Sequence, residues 1–272
     1  MNNILIILFL IQLSNGFQLF NKISWQFGKK TSNKIILRKS NIIYTSNNIT
    51  DFSNDLNKNN IVISTAGGIY GIYMLGSVAY IQQHYKTNEF LYSGISAGSW
   101  ISLLLSHKNP KNIFINKLLN NKNIISNNYN FKILQKDIKN HILENYKTED
   151  FNLSKLYIGV THFKNFKFET YIYTDFYDLE DALNCCIASS NIPFITGNIF
   201  NKYNNLLGFD GGFSEYPYIE NNKYNFTISP NMWNVENKNG LSLDQNITKL
   251  FESGFLDTKK NYLRLDNFFD KL

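Results

Sequence analysis

The chain has 272 residues, enough for one sizeable buried core and too few for two independent ones. Its formal charge of +6 comes almost wholly from scattered lysines, arginine occurring only at Arg38 and Arg264, and no nucleic-acid-binding motif accompanies it, so no nucleic acid partner is expected. The two cysteines, Cys185 and Cys186, are adjacent and build no disulfide framework, which leaves the fold to stand on its core.

Residues 1–16 contain an apolar run, Ile4 to Leu13, broken only by Gln12 and followed by Ser14-Asn15-Gly16. This reads as a cleaved secretory signal, too short to span a bilayer comfortably, although no Lys or Arg precedes it. Cleavage puts the protein on the secretory route; without it the expectation is a cytoplasmic protein bound peripherally to membranes. Residues 17–58 form a polar, Asn/Lys-rich leader with one strand among Ile35 to Leu37 and Ile42 to Tyr44, and 59–272 form the catalytic domain.

In that domain the β-branched run Ile61-Val62-Ile63-Ser64 stops at Ala66-Gly67-Gly68, after which Leu75, Val78, Ala79 and Gln82 recur at helical spacing. Phe90-Leu91-Tyr92 predicts a second strand, Gly94-Ile95-Ser96-Ala97-Gly98 a sharp turn, and Trp100 to Ser106 a helix that Pro110 ends. Two strand-turn-helix units in succession predict a parallel sheet. Leu134, Ile138, His141, Ile142 and Tyr146 share one face of a helix, which either covers the active site as a lid or packs on the sheet. Leu156 to Val160 and Glu169 to Thr174 predict a hairpin with His162 at its polar tip. Asp178 caps a helix carrying Leu179, Ala182, Leu183, Cys186 and Ile187, which makes Cys186 a core residue. Leu206 to Phe209 predicts a strand ending at Asp210-Gly211-Gly212, Asn225 to Ser229 another, and Leu241 to Leu272 one or two surface helices.

A serine between two glycines, after a strand and before a helix, is the setting of an exposed nucleophile on a strained turn. Its base is harder to find. The four histidines are His84, His107, His141 and His162, so none stands late in the chain, where an α/β-hydrolase carries one. Ser96 with Asp137 or Asp150 and His162 satisfies the triad order, but His162 lacks an apolar seat. A partly desolvated carboxylate in hydrogen-bond reach does the same work, and Asp210, at a strand end and followed by two glycines, is the candidate; the alternative is an ordinary Asp-Gly turn. Ala66-Gly67-Gly68-Ile69-Tyr70-Gly71 is an anion cradle for a cofactor phosphate or an oxyanion. The dinucleotide fingerprint is poorly met: its first glycine is alanine, and Ser93-Gly94-Ile95-Ser96 stands where an acidic ribose ligand belongs.

With these pieces in this order, the chain resembles the patatin-like phospholipase family from about Ile61 to Pro217. The resemblance rests on the glycine-rich loop, on Gly94-Ile95-Ser96-Ala97-Gly98, on Ala188-Ser189-Ser190-Asn191-Ile192-Pro193 as an Ala-Ser-x-x-x-Pro segment, and on Asp210-Gly211-Gly212. It implies an α/β fold, a three-layer α/β/α sandwich with a mostly parallel central sheet, and a Ser/Asp dyad using neither metal nor cofactor. Ser96 then attacks the ester carbonyl, Asp210 accepts its proton, and the N–H groups of Gly67, Gly68 and Ile69 hold the oxyanion, with Gly71, Gly94, Gly98, Gly211 and Gly212 supporting the motifs. The implied partner is a glycerolipid at a membrane or lipid-droplet surface. The alternative is a lipid-binding or regulatory protein with weak or no turnover.

The family's loop commonly reads Gly-Gly-Gly-x-Arg/Lys-Gly. Here Ala66 replaces the first glycine and Tyr70 the basic residue, which leaves phospholipid or neutral lipid open. Tyr216-Pro217 stands in place of the more usual Asn-x-Pro.

Overall fold

A computed structural model describes residues 36–39, 42–43, 60–109, 131–164, 167–193, 196–197, 201–213, 225–233 and 247–272. The signal at 1–16, most of the leader, residues 110–130 and Tyr216-Pro217 lie outside them. In chain order the elements are β1 (Ile36–Lys39), β2 (Ile42–Ile43), β3 (Ile61–Ser64), α1 (Gly71–His84), β4 (Leu91–Ile95), α2 (Ala97–Leu105), α3 (Phe131–Asn145), β5 (Leu156–Lys164), β6 (Lys167–Thr174), α4 (Leu179–Ser189), β7 (Asn201–Tyr203), β8 (Leu206–Phe209), β9 (Asn225–Ile228), α5 (Ile247–Lys260) and α6 (Tyr262–Asp266).

The strands form one sheet in the order β2-β1-β6-β5-β4-β3-β9, with β8 added to β5 and β7 to β8. Its centre, β9-β3-β4-β5, is parallel, as the two strand-turn-helix units require. Every residue of β3 is buried, the mark of a parallel strand covered on both faces. The margins are mixed: β5 and β6 are an antiparallel hairpin, and β1 runs parallel to β6.

Successive right-handed crossovers that advance in one direction along the sheet put their helices on one face. Accordingly α1 lies against α2 and α5, α2 against α4, and α4 against α3. That face carries Val62, Tyr92, Ile158, Val160, Tyr171 and Tyr173, which pack with Met74, Val78, Leu103 and Leu183 into the main core. Alternation sends Ile61, Ile63, Ile95 and Ile172 to the opposite face, where they form a smaller cluster. A mixed α/β architecture with a central sheet flanked by helices is the fold class expected.

Several local expectations change. The stretch read as a leader with one strand supplies two, β1 and β2, which pair antiparallel and extend the sheet beyond β6. The hairpin is longer than the apolar pattern suggests, running to Lys164 and Lys167, so His162 lies inside the sheet with its side chain fully buried. The helix read as lid or sheet cover packs on α4: Lys139 reaches Glu180 Oε1 at 2.7 Å, and Gln135 donates to Ser190 Oγ at 2.9 Å. The C-terminal helices are more than surface. Ile247, Leu250, Gly254 and Thr258 bury one face of α5 on α1, where a methyl on Gly76 would overlap the carbonyl of Phe251 and one on Gly254 that of Tyr73. Tyr73 donates to Asp257 at 2.9 Å and Trp233 to Thr258 at 2.8 Å, which fastens the contact with polar groups.

Candidate active site

Strand register brings the serine and the aspartate together. One edge of β5 is paired with β6 throughout its upper half, which leaves the other edge for both β4 and β8. β4 climbs that edge parallel to β5 and stops with Ile95 opposite Gly159. β8 descends the same edge antiparallel, with Gly208 opposite His162 and Phe209 opposite Thr161. The C-terminal ends of the two strands therefore meet head to head at the level of Val160, and the next residues are Ser96 and Asp210. The sequence points to Asp210 at the end of a parallel strand. The strand is instead antiparallel to β5, because the β7–β8 hairpin returns the chain in that direction.

Ser96 Oγ donates to Asp210 Oδ2 at 2.6 Å, and both residues are only 5% exposed. Ser96 has φ 54° and ψ −129°, a conformation that L-residues rarely adopt and that costs on the order of 1–3 kcal/mol. The surroundings enforce it. Ser96 N donates to Ser189 Oγ at 2.9 Å, and Ser189 Oγ in turn donates to the carbonyl of Gly159 at 2.7 Å. The Ser96 carbonyl accepts from Ser99 Oγ at 2.6 Å and from Ser99 N at 3.0 Å. Gly94 and Gly98 face each other across the turn, and a methyl on Gly98 would overlap the carbonyl of Ser64, so the close approach of β3 to the elbow requires glycine there.

Asp210 is held as firmly. Its N–H donates to the carbonyl of Asn191 at 2.9 Å, and its own carbonyl accepts from Phe213 N at 3.0 Å. Gly211–Phe213 form a short 3-10 turn in which Gly212 N donates to Asp210 Oδ1 at 2.8 Å, while Gly211 packs against Ile95. Burial lifts the carboxyl from its ordinary value to about 6, and the hydrogen bonds from Ser96 and Gly212 draw it partway back. The result is a carboxylate able to accept a proton near neutral pH.

The glycine loop crosses this junction between β3 and α1. Gly71, at the start of α1, abuts Ala97, the residue after Ser96, and Ala66 lies beside Gly212, so the loop bridges the two motifs. Gly68–Tyr70 form a 3-10 turn whose first hydrogen bond runs from Tyr70 N to the Gly67 carbonyl at 3.0 Å. The N–H groups of Gly67, Gly68 and Ile69 precede that bond and have no partner within the turn, the arrangement that makes a helix start an anion acceptor. Gly68 has φ +52°.

The triad alternative fails on geometry. His162 Nδ1 meets the Leu207 carbonyl at 2.8 Å and Nε2 meets the Tyr173 hydroxyl at 2.8 Å, so both ring nitrogens are engaged away from Ser96. A carbonyl only accepts, so Nδ1 carries a proton and donates it to Leu207. Ser189, Ser99 and Asn191 are the residues whose part at the site sequence reasoning missed. Ser189 and Asn191 lie in the Ala188–Pro193 segment, which was the available signal; Asn191 also donates through Nδ2 to the Gly208 carbonyl at 3.1 Å. Cys185 and Cys186 are both buried, as expected for Cys186, and burial pushes the Cys186 thiol up to about 12.

No curated protein matches the chain by sequence. A family model described as patatin-like phospholipase matches residues 64–221, a span that begins at the last residue of β3 and includes the loop, the elbow, the Ala188–Pro193 segment and Asp210. That span is more than half the chain, and the chain therefore belongs to the patatin-like phospholipase family, a family of lipid acyl hydrolases.

Proposed function

We propose that the chain is a serine hydrolase that cleaves fatty-acyl esters of glycerolipids through a Ser96/Asp210 dyad. The observation that carries this is the 2.6 Å hydrogen bond from Ser96 Oγ to a buried carboxylate poised near pH 6. Ser96 Oγ attacks the ester carbonyl while its proton passes to Asp210 Oδ2, and the oxyanion of the tetrahedral intermediate is received by the N–H groups of Gly67, Gly68 and Ile69. Collapse breaks the C–O bond, the departing alkoxide takes the proton from Asp210, and the acyl group remains on Ser96. Water then attacks the acyl-enzyme, its proton goes to Asp210 and returns to Ser96 as the fatty acid leaves.

Purified protein is expected to release fatty acid from a micellar glycerolipid and to be labelled at Ser96 by a fluorophosphonate, whereas Ser96→Ala does neither. Full hydrolysis by Ser96→Ala would sink the dyad. The replacements Ala66 and Tyr70 motivate the second reading, a lipid binder without turnover; it predicts an unlabelled Ser96 in a folded, lipid-binding protein.

A further inference from the structure

A band of phenylalanines runs across the sheet from the β5–β6 hairpin to the aspartate turn. Phe163 and Phe168 stand opposite each other near the hairpin end, with ring centroids 5.1 Å apart. Phe168 meets Phe209 at 5.6 Å and Phe213 at 6.5 Å, and Phe209 meets Phe213 at 6.2 Å. Alternation explains the common face: Phe163 is two residues from Thr161, Thr161 pairs with Phe209, and all lie on the face opposite His162 and the helices. Phe209 and Phe213 bracket Asp210-Gly211-Gly212 in sequence, so the band ends at the dyad. Its outer members are unusually open for phenylalanine, Phe163 being 41% and Phe168 42% exposed. A water-facing aromatic cluster of this kind gains by transfer to an apolar phase. Past it the hairpin backbone closes with Lys164 opposite Lys167, which puts two positive residues next in the chain to the exposed phenylalanines, in a protein whose net charge is +6.

We propose that the Phe163/Phe168 hairpin is the surface by which this protein docks on an anionic phospholipid bilayer. The rings enter the boundary between head groups and acyl chains, and the positive charge of Lys164 and Lys167 draws this end of the hairpin to anionic head groups. The chemistry fits a bilayer because two lysines adjoin the exposed phenylalanines in the chain at one end of the hairpin, and because the band leads from that end to Asp210, where an ester drawn from the bilayer must arrive. The inference rests on the lipid-hydrolase reading for its purpose, but the docking itself is measured without turnover.

The test is co-sedimentation of the Ser96→Ala protein with vesicles of phosphatidylcholine, with and without phosphatidylserine. Binding is expected to favour the phosphatidylserine vesicles. Adding Phe163→Ser and Phe168→Ser should cut binding on the order of tenfold or more, and Lys164→Ser or Lys167→Ser should each cut the phosphatidylserine preference about fivefold. In the wild-type background the two phenylalanine-to-serine substitutions should leave hydrolysis of a monomeric short-chain ester unchanged. The conservative Phe163→Trp variant guards against misfolding: its emission should shift to the blue on adding phosphatidylserine vesicles. Undiminished binding by the double variant, absent binding by the parent, or an unshifted emission spectrum of Phe163→Trp each overturns the proposal. So does lipid-free self-association abolished by the same substitutions, which would make the band a contact between copies of the chain. Loss of ester hydrolysis alone, with Phe-dependent binding intact, would strike the hydrolase reading and leave the docking surface standing.

Discussion

The dyad and the loop that crosses it are held by different means. Each backbone and side-chain polar atom of Ser96 and Asp210 has a partner, and both residues are almost fully buried. The loop from Ala66 to Tyr70 is exposed or half-exposed, and a methyl on Gly68 would meet nothing within 4 Å. The proposed nucleophile and base are thus over-determined, while Gly68, at the centre of the loop proposed to receive the oxyanion, has open space around it. Two of the chain's departures from its family's usual motifs, Ala66 and Tyr70, fall in that loop, whereas Gly94-Ile95-Ser96-Ala97-Gly98 and Asp210-Gly211-Gly212 keep their form.

The largest effect expected is at Asp210. Asp210→Asn should lower kcat/KM by on the order of 10⁴-fold, since it removes the proposed proton acceptor while the geometry persists. It should also stabilise the fold at neutral pH. The native carboxyl keeps its proton to about pH 6, whereas the unfolded chain releases it near 3.8, so between these values the native state binds more protons and stability falls as pH rises. Above that window the penalty is complete, and asparagine removes up to about 3 kcal/mol of it. Thermal unfolding at pH 4 and pH 8 checks this: the variant should gain at pH 8 and little at pH 4. The wild-type acid limb of kcat/KM on a soluble ester should fall with a midpoint near pH 6 as Asp210 becomes protonated.

A matched pair of glycine substitutions sets the two regions directly against each other. Gly98→Ala should destabilise by about 3 kcal/mol, because its methyl overlaps the Ser64 and Thr65 backbone and nothing there is free to move. Gly68→Ala meets no neighbour and should cost only about 1 kcal/mol, from its positive φ. Equal losses in urea unfolding would mean that the loop is as constrained as the elbow.

Ser189→Ala probes what holds the strained serine. It leaves Ser96 N and the Gly159 carbonyl without their buried partner, and the expected loss is about 2 kcal/mol of stability. If Ser189 positions Ser96, kcat should fall while KM holds; an unchanged kcat would reduce it to a structural residue.

The legibility of the site follows the same division between local and distant. Ser96 could be read because strand, turn and helix are successive in the chain, and the loop for the same reason. Asp210 is legible as a candidate base from its place at a strand end before two glycines, but the direction of that strand is not, since it depends on β8 pairing with β5 across the fold. Ser189 was hidden because a serine at the end of an apolar helix shows its partner only when α4 lies against β4 and β5. His162 reads as part of a polar hairpin tip because the apolar run ends at Val160, whereas the hairpin continues past it. The burial of α5 depends on Gly76 and Gly254 meeting from opposite ends of the chain, which no spacing rule within one segment reveals.

The smallest effect expected is at Tyr70. It is half-exposed and stands where the family commonly carries a basic residue, beside backbone N–H groups already suited to an anion. Tyr70→Lys adds a charge that water partly screens, so it should raise the ratio of phospholipid to neutral glycerolipid hydrolysis only about two- to fivefold, and less at high salt. Fluorophosphonate labelling of Ser96 should not change, because the dyad is fixed by bonds that do not involve residue 70. A changed labelling rate would mean that the loop and the dyad are coupled after all. An unchanged substrate ratio would mean that head-group choice lies elsewhere, and that the tyrosine is tolerated because the oxyanion is held by backbone alone.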